Sequence, residues 1–323
     1  MAFRNGGYRG WLLSLAASAC LVSWATAQDY RSPAPGSQMP LSGYQDPGRP
    51  LGQPAQRPPI MLAQAPHQEA EQTMPGASQP VALGGGLQPN EHPLMPAIRW
   101  ARDGLHNIQQ IEDYSAVLVK REQVNGKLGD EQYLFLKVRH RPMSVYMYFL
   151  KPEGLQGQEL IWIEDQNDGK MWAHGTGLKS VFGTVSLNPT GGLAMEGQRY
   201  PVTEVGILNL VERLLERAQE DTQFGECEVK FFPGAKINNR TCTCIRVMHP
   251  VPRRNFLCHM AIIFVDDELN VPIRYESYDW PGRPGESPPL IEQYTYLNLK
   301  LNNGFTDADF DIRNPQYGFK GGG

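Results

Sequence analysis

The sequence predicts an α+β fold: a strongly curved antiparallel sheet with helices packed on its concave face. Three observations carry that prediction. Two segments repeat apolar residues at the helical period. Runs rich in β-branched and aromatic residues follow each of them, and short turns join consecutive runs, which forces an antiparallel meander. A helix with a single apolar stripe must bury it, and the sheet supplies the surface.

The first helix is expected from Pro93 to about Tyr114, where Ile98, Ala101, Leu105, Ile108 and Ile111 recur on one face and Arg99, Arg102, Asp103 and Gln109 occupy the other. Strands are expected at about 114–123, 131–139, 144–151, 158–164 and 170–174. Asn125-Gly126, Arg141-Pro142, Pro152-Glu153-Gly154 and Asp168-Gly169 punctuate them with hairpin chemistry. Residues 175–200 are glycine-rich without a clear period and read as a loop with a short helical turn. Thr203 is the expected N-cap of a second helix that sets Ile207, Leu210, Leu214, Leu215 and Ala218 on one stripe. Further strands follow at about 226–232, 241–249, 257–265, 272–279 and 291–301.

Ahead of this folded part, residues 1–27 have the layout of a signal peptide. Arg4 and Arg9 precede the apolar stretch Trp11 to Trp24, and Ala25-Thr26-Ala27 supplies small residues for cleavage before Gln28. Cys20, after Ala17-Ser18-Ala19, is a weaker match to a lipidation box, because alanine stands at its first position and the apolar run continues past it. Residues 28–92 are rich in Pro, Gly, Gln and Ser and are expected to be a disordered spacer, since they bury too little apolar surface to offset backbone entropy. Residues 93–319 form the expected domain and 320–323 a flexible tail. The export signal predicts a periplasmic or cell-envelope location, with contact to a membrane left open and no span expected after signal removal.

The formal net charge of −4 gives no electrostatic reason to expect nucleic acid. Basic residues are scattered, and the alternating Lys137, Arg139 and Arg141 read as a solvated strand face. The more informative pattern is apolar. Tyr133-Leu134-Phe135-Leu136, Val145 to Leu150 and Leu160-Ile161-Trp162-Ile163 carry bulky apolar side chains on both faces, so each face needs a cover. Tyr133, Phe135, Tyr146, Tyr148, Trp162, Trp172, Ile207 and Leu214 are the candidate lining of a cavity for a hydrophobic ligand, set against the plainer reading that they fill an ordinary core.

Cys227, Cys242, Cys244 and Cys258 are an even set in an exported chain, and disulfides are the expected state. Cys227 paired with Cys242 or Cys244 across a hairpin fits, and three connectivities stay open. With His249 and His259 the set also suits a transition metal, but the spacing matches no standard zinc pattern. Asp165 to Gly169 and Asp266-Asp267-Glu268 read as turns rather than as a calcium loop or an acid/base pair. No metal or cofactor is expected. G-x-S-x-G, H-E-x-x-H and phosphate-cradling glycine loops are missing from the sequence, and no paired carboxylates stand at productive spacing, so an enzyme is not expected.

One pattern is specific. Phe264-Val265-Asp266-Asp267-Glu268-Leu269-Asn270-Val271-Pro272-Ile273-Arg274-Tyr275, with Tyr278-Asp279 after it, resembles a hairpin of the outer-membrane lipoprotein carrier (LolA-like) superfamily. Residues 294–305, followed by Asp309-Phe310, are similar to that superfamily's last strand and exit. Tyr114-Ser115-Ala116 after a helix and Arg139-His140-Arg141-Pro142 fit its opening. More narrowly, the chain resembles an uncharacterised bacterial envelope domain family of that type. The resemblance implies acyl chains held between an incomplete barrel and a helical lid, with a basic residue near Arg139 or Arg141 steadying the lid. The expected function is therefore non-enzymatic binding or carriage of a lipid or the acylated end of a lipoprotein. The alternative is an envelope protein-interaction or stress-sensor module of the same fold.

Overall fold

The computed structural model describes residues 86–320. The expected signal peptide, Cys20, most of the spacer and residues 321–323 lie outside the described residues. Helix α1 (Met95–Gln109) is followed by β1 (Asp113–Val124), β2 (Lys127–Leu128), β3 (Gln132–His140), β4 (Met143–Lys151), β5 (Glu159–Ile163), β6 (Met171–His174) and β7 (Thr184–Leu187). Helix α2 (Ile207–Asp221) then leads to β8 (Glu228–Ile237), β9 (Arg240–Met248), β10 (Met260–Asp266), β11 (Pro272–Tyr278) and β12 (Leu290–Leu301).

All strands join one 12-stranded sheet in the order β7-β6-β5-β4-β3-β1-β12-β11-β10-β9-β8, with β2 paired to β1. Every pairing is antiparallel, and β7 and β8 do not meet, so the barrel is incomplete. Both helices lie on the concave face. β1 is the hinge of the order: it pairs β3 on one side and, through Leu118↔Tyr296 and Lys120↔Tyr294, the long β12 on the other.

The expected strands all form, and two more do: the short β2 beside β1, and β7. Residues 184–187 make β7 inside the segment read as a loop, pairing β6 through His174↔Thr184. Four residues are too few to show a period. Helix α1 stops at Gln109 rather than near Tyr114, because Asp113 and Tyr114 already pair with Arg139 and Val138. Thr203 sits in a separate 3-10 turn, and α2 starts behind Gly206. The phenol of Tyr114 on β1 accepts the Ile207 N–H at 2.9 Å, taking the role of a cap. Gly206 has φ +125°, and a Cβ there would lie 3.0 Å from that phenol oxygen, so glycine is required on both counts.

The folded part begins before Pro93. Glu91 pairs with Arg99, and the His92 ring is 2.8 Å from the Phe224 carbonyl. It also extends past residue 319: Lys320 exchanges backbone and side-chain hydrogen bonds with Thr184.

The convex face is covered as well. After β12 the chain runs as a strap across β1, β3, β4 and β5. Asp113 accepts the Asn303 and Phe305 N–H groups at 2.6 and 2.8 Å and turns the chain onto that face. Phe305, Phe310 and Tyr317 then bury Tyr146, Ile161 and Ile163, with Tyr317 stacked on Tyr146 at 4.2 Å. Lys137, expected on a solvated face, is completely buried under this strap. Its Nζ lies 3.0 Å from both Asp309 Oδ1 and the Tyr317 hydroxyl, and the Phe305 ring centroid is 5.2 Å away. Sequence spacing showed the alternation of charge along β3 but not the aromatic cover brought from the chain's far end.

Candidate functional site

Between the two helices and the concave face lies a cavity of about 1000 Å³. Strand alternation builds its sheet wall. Leu134, Met147, Phe149, Leu160 and Met171 point inward from β3 to β6, while their neighbours in sequence point to the strap. Ile245, Ile263 and Tyr275 continue the wall across β9, β10 and β11. The helices contribute Ile98, Ala101, Leu210, Leu214 and Ala218. Of these, Ala101, Leu210, Leu214 and Ala218 are only half-buried, as are Leu160 and Leu187 on the sheet. The part of their apolar surface that the core leaves uncovered borders the cavity.

One part of the wall is polar. On β1 the inward series runs Leu118, Lys120, Glu122, and on β12 it runs Tyr296, Tyr294, Glu292, so charged and phenolic side chains meet across the β1/β12 pair. Lys120 Nζ is 3.0 Å from Glu122 Oε2, and the Tyr294 hydroxyl donates to Glu122 Oε1 at 2.6 Å. Ser277 donates to Glu292 at 3.2 Å. The segment ahead of α2 closes over this floor: Gln198 bonds Lys120, the Arg199 N–H donates to Glu122 at 3.1 Å, and Arg199 Nε lies 3.0 Å from Glu292. Burial, opposed by Glu122, holds the Lys120 ammonium below its ordinary value. Burial and then the Glu292 charge push the Tyr275 and Tyr294 phenols well up.

At the end of α2, Asp221 and His249 are both buried on the cavity wall, with His249 Nε2 3.3 Å from Asp221 Oδ2 and Nδ1 3.2 Å from the Cys258 carbonyl. The Cys258 thiol is not an activated nucleophile beside them, because burial pushes it up to about 12.

The structure separates the eight candidate lining residues. Leu214 lines the cavity. Ile207 and Trp162 are in the main core, where the Trp162 ring N–H donates to the Gly169 carbonyl at 3.3 Å. Tyr146 is buried under the strap, and Phe135, Tyr148 and Trp172 pack against that same cluster. Tyr133 shares their strand face, with Lys151 over its ring at 5.2 Å. Five of the eight lie on the strap side of their strands, where the residues one place along face the cavity. The change from Leu118 to Lys120 and Glu122 on one face of β1 was a signal that this face meets something other than a uniform core.

Among the described residues, no two of the four cysteines lie at disulfide-bonding distance, so the expected disulfides are not seen. The hairpin register explains it. Glu228 pairs with Met248, so Cys227 falls at the far end of β9 from Cys242 and Cys244. Those two sit opposite Ala235 and Phe232 instead, and burial pushes both thiols up to about 12. Of the two arginines that the carrier resemblance brings forward, Arg139 pairs with Asp307 of the strap at 2.7 Å, and Arg141 donates to the Gln109 carbonyl at the end of α1 at 2.9 Å.

Residues 111–319 match a family model described as a protein of unknown function, DUF1571. No curated protein matches the sequence. Solved structures similar to the chain include the lipoprotein LppX of Mycobacterium tuberculosis, at 14% identity and TM-score 0.38 over 67% of this chain and 99% of that one. A LolA superfamily protein from Nitrosomonas europaea matches at 12% identity and TM-score 0.27, over 65% of this chain and 97% of that one. The MucA/MucB complex of Pseudomonas aeruginosa matches at 12% identity and TM-score 0.37, over 67% of this chain and 60% of that one. Among the described residues, no helix is long and apolar enough to cross a membrane.

Proposed function

The chain belongs to the DUF1571 family, whose description assigns no activity, and from that premise we propose that it is an exported, non-enzymatic domain of the cell envelope that holds a lipid or the acylated end of a lipoprotein. The observation that carries this reading is the cavity of about 1000 Å³, walled by apolar side chains that protein covers only in part. Its size reaches the upper end of the roughly 300–1,000 Å³ typical of ligand pockets. Each methylene transferred from water onto Leu160, Leu210 or Leu214 gains about 0.8 kcal/mol, so an acyl chain supplies its own driving force and no directional contact is needed along most of its length.

The test is uptake of an environment-sensitive acyl probe by the delipidated protein, read alongside native mass spectrometry of the freshly purified form. Co-purifying lipid and a saturable fluorescence rise are expected. Leu214→Asp places a charge on the apolar wall and is expected to weaken uptake by about tenfold or more, the penalty for burying an unpaired carboxylate. A well-folded preparation that carries no lipid and takes up no probe overturns the proposal.

A further inference from the structure

We propose that the cavity selects an amphiphile with an uncharged polyhydroxyl head, which rests on the β1/β12 floor formed by Lys120, Glu122, Glu292 and Tyr294 while its chain lies along the apolar wall. The inference rests on the ligand-holding reading above and narrows it to a class of head group. Its physical basis is charge balance. On the floor, two cations, Lys120 and Arg199, face two carboxylates, Glu122 and Glu292, while the cavity wall also carries Glu196 and the Glu204–Arg213 ion pair. Lys120 is paired with Glu122 and Arg199 with Glu292, each at 3.0 Å. An anionic or cationic head entering here brings a charge with no counter-ion and pays its desolvation in full.

A hydroxyl-rich head meets the opposite situation. Each hydroxyl both donates and accepts, so it joins a network of carboxylate oxygens, an ammonium, a guanidinium and phenols without disturbing the balance. Glu122 and Glu292 are almost fully buried but remain on the cavity wall, and carboxylates retain acceptor capacity beyond the bonds they already take. The Tyr275 and Tyr294 rings lie parallel, centroids 6.4 Å apart, in the same row of the sheet. Farther along the same β1 and β12 faces, Leu118 and Tyr296 return the wall to apolar character, so head and chain have distinct places.

The experiment is displacement of the bound acyl probe by monoolein, oleate and oleylamine, which share one chain and differ in head. Monoolein is expected to displace at a concentration lower than either ionic competitor by about tenfold, the worth of one or two hydrogen bonds kept without a stranded charge. Two variants move the balance in opposite directions. Glu292→Gln leaves the floor with excess positive charge and is expected to raise the rank of oleate; Lys120→Met leaves it negative and is expected to raise oleylamine. Because the readout is a ratio among competitors, a general loss of affinity in a variant cancels. Equal displacement by all three, or preference for an ionic head in the unaltered protein, overturns this inference while leaving the ligand-holding reading intact. Should no probe bind the unaltered protein at all, the ligand-holding reading fails and takes this inference with it.

Discussion

Lys137 shows how far a single side chain departs from its sequence context. Nothing in the alternation Lys137, Arg139, Arg141 distinguishes the first residue from the other two, yet it is sealed under the strap against Asp309 and Tyr317. The pair ties the chain's end to the middle of β3, and Asp309 also closes a capping box with Thr306. Removing one partner of a buried ion pair strands the other. Lys137→Met is expected to lower stability by about 3–5 kcal/mol, read as a shift in urea midpoint. The double variant Lys137→Met with Asp309→Asn is expected to recover part of that loss, since the stranded charge is gone. Equal loss in single and double variants shows that packing volume, not charge, dominates at this position.

Elements were far more legible than their contacts. The strands from β3 to β6 announce themselves through turn residues and dense β-branched or aromatic composition, and these are local signals. Which face of a strand looks inward is not local when both faces are greasy. Bulk points to Phe135, Tyr146, Tyr148 and Trp172 as lining, but the aromatic residues of the strap cover that face, and Leu134, Met147, Phe149, Leu160 and Met171 meet the cavity. The β10/β11 hairpin was readable throughout, because Asp266 does what its place in the turn suggests. Its Oδ1 accepts the Glu268 and Leu269 N–H groups at 3.0 and 2.9 Å, and Arg240 grips both oxygens. Burial alone would raise this carboxyl, but Arg240 and the two N–H groups outweigh it and hold it below its ordinary 3.8. A depressed carboxyl stabilises fully above its unfolded value and loses that contribution as pH falls through the lower folded value. Asp266→Ala is therefore expected to cost about 1–3 kcal/mol at neutral pH, and progressively less below about pH 4, in urea titrations run across that range.

For the described residues as a whole, the chain covers both sides of one sheet with different materials. Helices stand off the concave side and leave space, while the strap presses flat on the convex side and leaves none. Ending the chain after Gly304 is expected to uncover Phe135, Tyr146, Tyr148 and Trp172 together, raising dye binding to exposed apolar surface and driving self-association in sedimentation. A truncated protein that stays monomeric and dye-silent shows that the sheet stands without its strap. The strand order also ends in two free margins, and each is blunted: Lys320 hydrogen-bonds the start of β7, and a register shift between Phe232 and Ala235 interrupts β8, which carries Lys230 and Lys236. Because those margins never join, the girth of the vessel is not fixed by a closed ring of ladder bonds. A small change in twist shared among many strands alters that girth with every rung of the ladder kept.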